Sequence, residues 1–194
     1  MSSHFDSTAL EQELAKILPP QRYQHSVAVG ETCVRLQHQY QEKFDEQELY
    51  QCGLMHDIAR DWKVSALTQF AEEHHLSLEK EERDFAVLLH APVGAALLEE
   101  RGFPKQLCIA VRYHTIGSIH MGRMGLVLYI ADYIEPNRMH LDDGDRASLL
   151  GEPTLEALCI RILEAESMHL RSKGKEITHS GLALRTLLKE GGRL

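Results

Sequence analysis

Apolar residues recur at i, i+3, i+4 and i+7 through several segments of this 194-residue chain, and clean polar/apolar alternation is scarce. A period near 3.6 buries one stripe of a helix and would scatter a strand's side chains onto both faces of a sheet. The pattern therefore predicts an all-α fold. Chain breakers fall between the periodic segments, at Pro19-Pro20, Gly102 to Pro104, Gly117, Pro136, Gly144, Gly151 to Pro153 and Gly174. They divide the chain into roughly seven to nine helices. The run Leu126 to Ile130 could pass for a strand, but Ala131, Asp132 and Tyr133 continue it as a helix that Pro136 ends. With no repeat, low-complexity tract or long linker, residues 1–194 are expected to form a single domain. Its motif-bearing core covers about 15–140, and packing helices cover about 150–194, where no motif is readable from 165 onward.

Composition excludes several function classes. Hydrophobic residues make up 43% and charged residues 26%, which suits neither a disordered chain nor a membrane protein. No apolar run approaches the roughly 18 residues that span a bilayer. Met1 to Leu18 mixes Asp, Glu and Lys with its apolar residues, as a first helix does and a signal peptide does not. A net charge of −8 opposes a nucleic-acid partner, which needs a basic footprint. An anionic small molecule would need a local basic pocket. Cys33, Cys52, Cys108 and Cys159 form no Cys-x-x-Cys pair, so they read as small buried residues in a reducing compartment, and the expected location is cytoplasmic.

Twelve histidines are many for this length, and the informative ones sit on apolar stripes. His25 shares a face with Ala28, Val29, Thr32 and Leu36. His56 follows Leu49, Cys52 and Gly53, with Asp57 on the flank about 100° around the axis. His90 aligns with Ala86, Leu89 and Val93, and His114 with Leu107, Ala110 and Val111. Asp132 aligns with Leu128 and Tyr129. One His on an apolar face is ordinarily a hydrogen-bonded core residue, and a lone His-Asp dipeptide is ordinarily a solvated pair. Four such His and two such Asp on five helices are different, because buried ionisable groups are costly unless paired or metal-bound. Nitrogen and oxygen ligands without thiolate suit Fe, Mn, Co or Zn. The remaining histidines carry no such signal. His4 lies in a tail, His74-His75 in a charged stretch, and His38, His120, His140, His169 and His179 lack a visible partner set.

The order His, His-Asp, His, His, Asp resembles the HD superfamily of phosphohydrolases. The stretches Arg22 to Val27, His56 to Arg60, Leu89 to Gly94, Arg112 to Thr115 and Tyr129 to Arg138 are similar to the YqeK-type symmetrical bis(5′-nucleosyl)-tetraphosphatases. The resemblance runs from about residue 15 to 185. It implies a helical HD-domain bundle and a dinuclear metal centre. His25, His56, Asp57 and Asp132 would hold a first metal, commonly iron. His90 and His114 would hold a second, with Asp57 bridging. It also implies an acid-anhydride hydrolase that cleaves diadenosine tetraphosphate, or a related dinucleoside polyphosphate, in the middle. The sequence departs from that pattern at Arg60, where Lys is frequent, at Ile116, where Thr is expected, and across Ser118 to Gly125.

The chemistry that follows is hydrolysis without a covalent intermediate. Metal coordination lowers the pKa of water toward neutrality and offsets charge on the phosphate. No Ser or Cys stands in a nucleophile elbow. Asp57, Arg60 and Asp61 are the catalytic candidates, with Asp61 assisting proton transfer or orienting a ligand. Arg22, Arg60, Lys63, Arg112, Thr115, Tyr133 and Arg138 are candidates for substrate contact. Arg60 stands first, because one turn past His56 would place it on the same face. For each Arg the plain alternative is a surface ion pair, for Tyr133 a packed ring, and for Thr115 a helix cap. A homodimer suits this size and family. Two other readings stay open: a different HD nucleotide phosphohydrolase, and a metal-binding HD module without catalysis.

Overall fold

The computed structural model describes residues 5–194, which contain eleven α-helices, one 3₁₀ turn and no strand. His4 lies outside the described residues. In chain order the helices are α1 (Ser7–Ile17), α2 (Pro20–Tyr40), α3 (Glu46–Met55), α4 (Val64–Glu73), α5 (Lys80–Asp84), α6 (His90–Glu100), α7 (Lys105–Tyr113), α8 (Gly122–Ile134), α9 (Asp143–Leu150), α10 (Leu155–Ser172) and α11 (His179–Lys189). The 3₁₀ turn, Ala86–Leu89, leads directly into α6. The count exceeds the seven to nine that periodicity predicts, because α5 and α9 are too short to show a period and are defined by their ends. Glu79 and Glu82 form a reciprocal capping box at the start of α5. Asp142 accepts a hydrogen bond from the Asp145 N–H at the start of α9.

The longer helices begin where the chain supplies a cap or a fixed φ. Pro20 occupies the first position of α2, where its missing N–H costs nothing. Asp45, Thr154 and Thr178 cap α3, α10 and α11 with side-chain oxygens. α8 is buried on every side from Met124 through Ala131, which is why its sequence looks continuously apolar. The run that resembled a strand is the central helix.

One apolar cluster joins Leu10 and Leu14 of α1 to Leu184 and Leu188 of α11 through α8. A smaller one packs Leu67 and Ala71 of α4 against Ala59, Leu89 and Val93. α2 and α3 cross unusually closely. A Cβ on Gly53 would stand 2.6 Å from the backbone of Gly30, so both positions need glycine's missing side chain. No helix of the described residues is long and apolar enough to cross a membrane.

Candidate metal centre and its cavity

The close crossing of α2 and α3 brings His25, in the second turn of α2, against His56, the residue that ends α3. The His-Asp pair thus lies in the turn after α3, where the regular helix has just ended. There His56 and Asp57 can both face inward, which a continuous helix would oppose with a step of about 100°. His90 opens α6 and His114 closes α7. Asp132 lies in the last turn of α8. The four histidines and Asp57 are buried, and the Asp132 side chain is one-fifth exposed.

Each imidazole is held from behind. His56 Nδ1 lies 2.7 Å from the Gly53 carbonyl, His90 Nδ1 2.7 Å from that of Val87, and His114 Nδ1 2.7 Å from that of Val111. Three residues back along the chain, these carbonyls accept Nδ1–H and so fix the tautomer. His25 lies mid-helix, where its own turn offers no free carbonyl, and its Nδ1 meets Glu135 Oε1 at 3.1 Å instead. All four Nε2 atoms then point at the same place. Asp57 lies between them. Its Oδ2 is 3.5 Å from His56 Nε2 and 3.8 Å from His25 Nε2, and its Oδ1 is 3.4 Å from His90 Nε2 and 3.6 Å from His114 Nε2. Asp132 Oδ1 completes the first group, 3.1 Å from His25 and 3.7 Å from His56.

The donor set fits cations by its chemistry. His25 Nε2 and His56 Nε2 are 3.3 Å apart, a spacing at which two lone pairs repel unless a proton or metal intervenes. His25, His56 and Asp132 form one set able to hold a metal, and His56, Asp57 and His114 form another. Nitrogen and oxygen donors of this kind suit divalent transition metals. The electrostatics agree. Burial opposes charge on His25, but hydrogen bonds to Asp132 and Glu135 outweigh it and raise its pKa to about 9. Burial followed by the neighbouring His114 lowers His90 to about 3. Burial also works against the charged forms of Asp57 and Asp132. The surrounding imidazoles, joined at Asp132 by Arg138, overcome it and hold both carboxyls below the usual range.

Above Asp57, His90, His114 and Asp132 opens a cavity of about 1080 Å³. A second cleft of about 620 Å³ reaches His25 and adjoins the first, with Arg22, Arg138 and His140 bordering both. Arg22 donates from Nη1 to Asp57 Oδ2 at 2.7 Å, and its Nε is 3.4 Å from Asp61. Arg138 pairs with Asp132. Arg60 lines the larger cavity and makes no side-chain hydrogen bond or ion pair among the described residues. Thr115 lines it with a buried Oγ1 that has no hydrogen-bond partner among the described residues, and Tyr133 with a ring packed edge-on against His140.

Two expected substrate contacts are not brought to this place. Arg112 forks onto the buried carboxylate of Glu82 and the Ser77 carbonyl, tying α7 to the start of α5. Lys63 is the exposed residue preceding α4 and borders neither cavity. Asp61 borders the smaller cleft and not the larger, paired with Arg22. Conversely, sequence reasoning gave no role to Glu135, whose carboxylate holds His25 and accepts the Asn137 N–H at 2.6 Å. A search for the outer partner that a buried His requires would have found it. The helices read as mere packing supply a cavity wall: Glu166, His169 and Leu170 from α10, then Lys175 and Thr178. The i, i+3 pair Glu166 and His169 was their only sequence signal. Burial pushes Glu166 up to about 7, while the Tyr129 hydroxyl that donates to it pulls the other way. His38 and His74 meet Glu46 and Glu100 in exposed pairs away from the centre, and the exposed His179 meets the half-buried Glu81.

The HD domain family model matches residues 22–168. A symmetrical bis(5′-nucleosyl)-tetraphosphatase of Staphylococcus aureus is 33% identical over 123 residues, 62% of this chain and 62% of that one. Another, of Bacillus subtilis, is 29% identical over 162 residues, 82% of this chain and 85% of that one. A crystal structure described as a predicted HD superfamily hydrolase involved in NAD metabolism, from Clostridium acetobutylicum, superposes with a TM-score of 0.84 at 25% identity. That superposition covers 97% of this chain and all of the other.

Proposed function

This chain belongs to the HD domain family, and on that premise we propose that it is a dinuclear metal hydrolase that splits diadenosine tetraphosphate and related dinucleoside polyphosphates in the middle, giving two nucleoside diphosphates. The observation that carries the reading is Asp57, whose two carboxylate oxygens each face a different pair of imidazoles. A carboxylate so placed could serve two cations at once. His25, His56, Asp57 and Asp132 would hold the first and His90, His114 and Asp57 the second, with iron the expected metal. The names of the staphylococcal and Bacillus relatives support the substrate class. The whole of residues 1–194 is read as one HD domain. The four free, buried cysteines accord with a reducing cytoplasm.

When bound, the metals supply Lewis acidity, bringing the pKa of water toward neutrality and offsetting negative charge on the phosphate. The protein's own groups do the rest. The Nδ1 anchors hold four Nε2 atoms in place before ligand arrives, so little reorganisation accompanies the reaction. Arg60 offers its fork to phosphate oxygens from the cavity wall, and Thr115 Oγ1, without a hydrogen-bond partner among the described residues, is a second donor on that wall. Arg22 and Arg138, abutting the two carboxylates, add positive charge where the polyphosphate would pass. Asp61 orients Arg22.

Chromatography of products from metal-replete protein and diadenosine tetraphosphate tests this. ADP as the sole product, lost in His56→Ala and Asp57→Ala, is expected. ATP with AMP would refute central cleavage, and intact substrate with metal verified by elemental analysis would refute the substrate class.

A further inference from the structure

A dinucleoside polyphosphate has a nucleoside at each end, and two adjoining cavities border the metal ligands. The larger opens over Asp57, His90 and His114, and the smaller opens over His25. Resting on the function proposed above, we infer that the smaller cleft is the subsite for the second nucleoside diphosphate half.

Its volume of about 620 Å³ falls in the range of roughly 300–1,000 Å³ typical of small-molecule sites. Its chemistry suits a phosphorylated nucleoside. Arg22 and Arg138 stand at the junction with the larger cavity, bordering both, where a chain of phosphates crossing from one side to the other must pass. Beyond them the wall carries neutral amides. Gln21 and Gln24 project from the first turns of α2, Asn137 follows α8, and His140 completes the wall. Amides such as these pair with sugar hydroxyls or base edges without charge. The two acids that border the cleft already have partners, Asp61 in Arg22 and Glu135 in His25 Nδ1.

Calorimetric titration of the metal-loaded protein with ADP tests the assignment directly. Wild type should bind two ADP per chain. Gln24→Trp, an exposed position where the ring fills the cleft and leaves the core untouched, should bind one. It should also raise KM for diadenosine tetraphosphate at least tenfold, leaving that for adenosine 5′-tetraphosphate, which has a single nucleoside, unchanged. One ADP bound by wild type, or two by the Trp variant, would overturn the inference. Turnover of diadenosine tetraphosphate by wild type separately decides the reading of function: full turnover with one ADP bound rejects the second subsite alone.

Discussion

Replacing Gly53 by Ala probes the contact on which the metal centre is built. An added Cβ would lie 2.6 Å from both Cα and N of Gly30 and 2.8 Å from the Val29 carbonyl carbon. Ordinary contact begins at 3.4 Å, so α2 and α3 must part by about 3.4 − 2.6 = 0.8 Å. The atoms in the way are backbone, which cannot turn aside as a flexible side chain would. His25 rides on α2 and His56 on the end of α3, with Nε2 atoms 3.3 Å apart. A displacement of 0.8 Å is about four times the roughly 0.2 Å tolerance of metal–ligand distances. The variant should therefore lose metal at His25 and His56. Overpacking of this kind costs about 1–3 kcal/mol, whereas Ala for Gly within a helix gains about 1 kcal/mol from propensity. The sign of the net change thus reports the clash. Urea unfolding should show a lower midpoint, and elemental analysis of the purified protein should show less than wild-type metal. A variant that unfolds at or above the wild-type midpoint and retains full metal would refute the close-crossing argument.

Other outcomes follow from the same geometry. Glu135→Gln removes the charge behind His25 and should weaken metal binding about 10- to 100-fold with the helical circular dichroism unchanged; a wild-type affinity would remove Glu135 from the centre. Arg60→Ala should lower kcat/KM about 10- to 100-fold, as loss of a charge-assisted hydrogen bond to phosphate does, with metal content intact, while Lys63→Ala leaves kinetics alone. Equal effects from the two would contradict the placement of Arg60. In chelator-treated protein, acid should destabilise through His90. Its folded pKa is depressed to about 3 from 6.5, so the unfolded chain takes up a proton that the folded one refuses, and stability falls as pH drops through that interval. His25, raised to about 9, works in the opposite window: its contribution is present below 6.5 and fades as pH rises toward about 9. His90→Gln should flatten the acid limb of a urea-midpoint profile, and an unchanged limb would assign the acid sensitivity elsewhere.

The sequence revealed the helices and the inward-facing His and Asp because helix period and burial cost are local properties. A histidine spaced with Leu107, Ala110 and Val111 must be buried wherever α7 packs. Partners set by tertiary closure were not legible in the same way. Arg112 looks as suitable for phosphate as Arg60 until Glu82, thirty residues earlier, is seen to be buried and to claim it. Likewise α10 and α11 read as packing helices, since only the folded chain brings Glu166 onto the Tyr129 hydroxyl and Thr178 onto the Ile116 carbonyl. The His-Asp pair was legible as a candidate ligand pair, but its position in a turn was not, because the periodicity of α3 gives no stop signal before Arg60.

Hydrolysis of diadenosine tetraphosphate in ¹⁸O-water, read by mass spectrometry, tests the central claim most directly. Attack by water on an inner phosphate predicts ADP alone, one molecule of each pair carrying a single ¹⁸O on its terminal phosphate. Label in AMP or ATP would contradict the account.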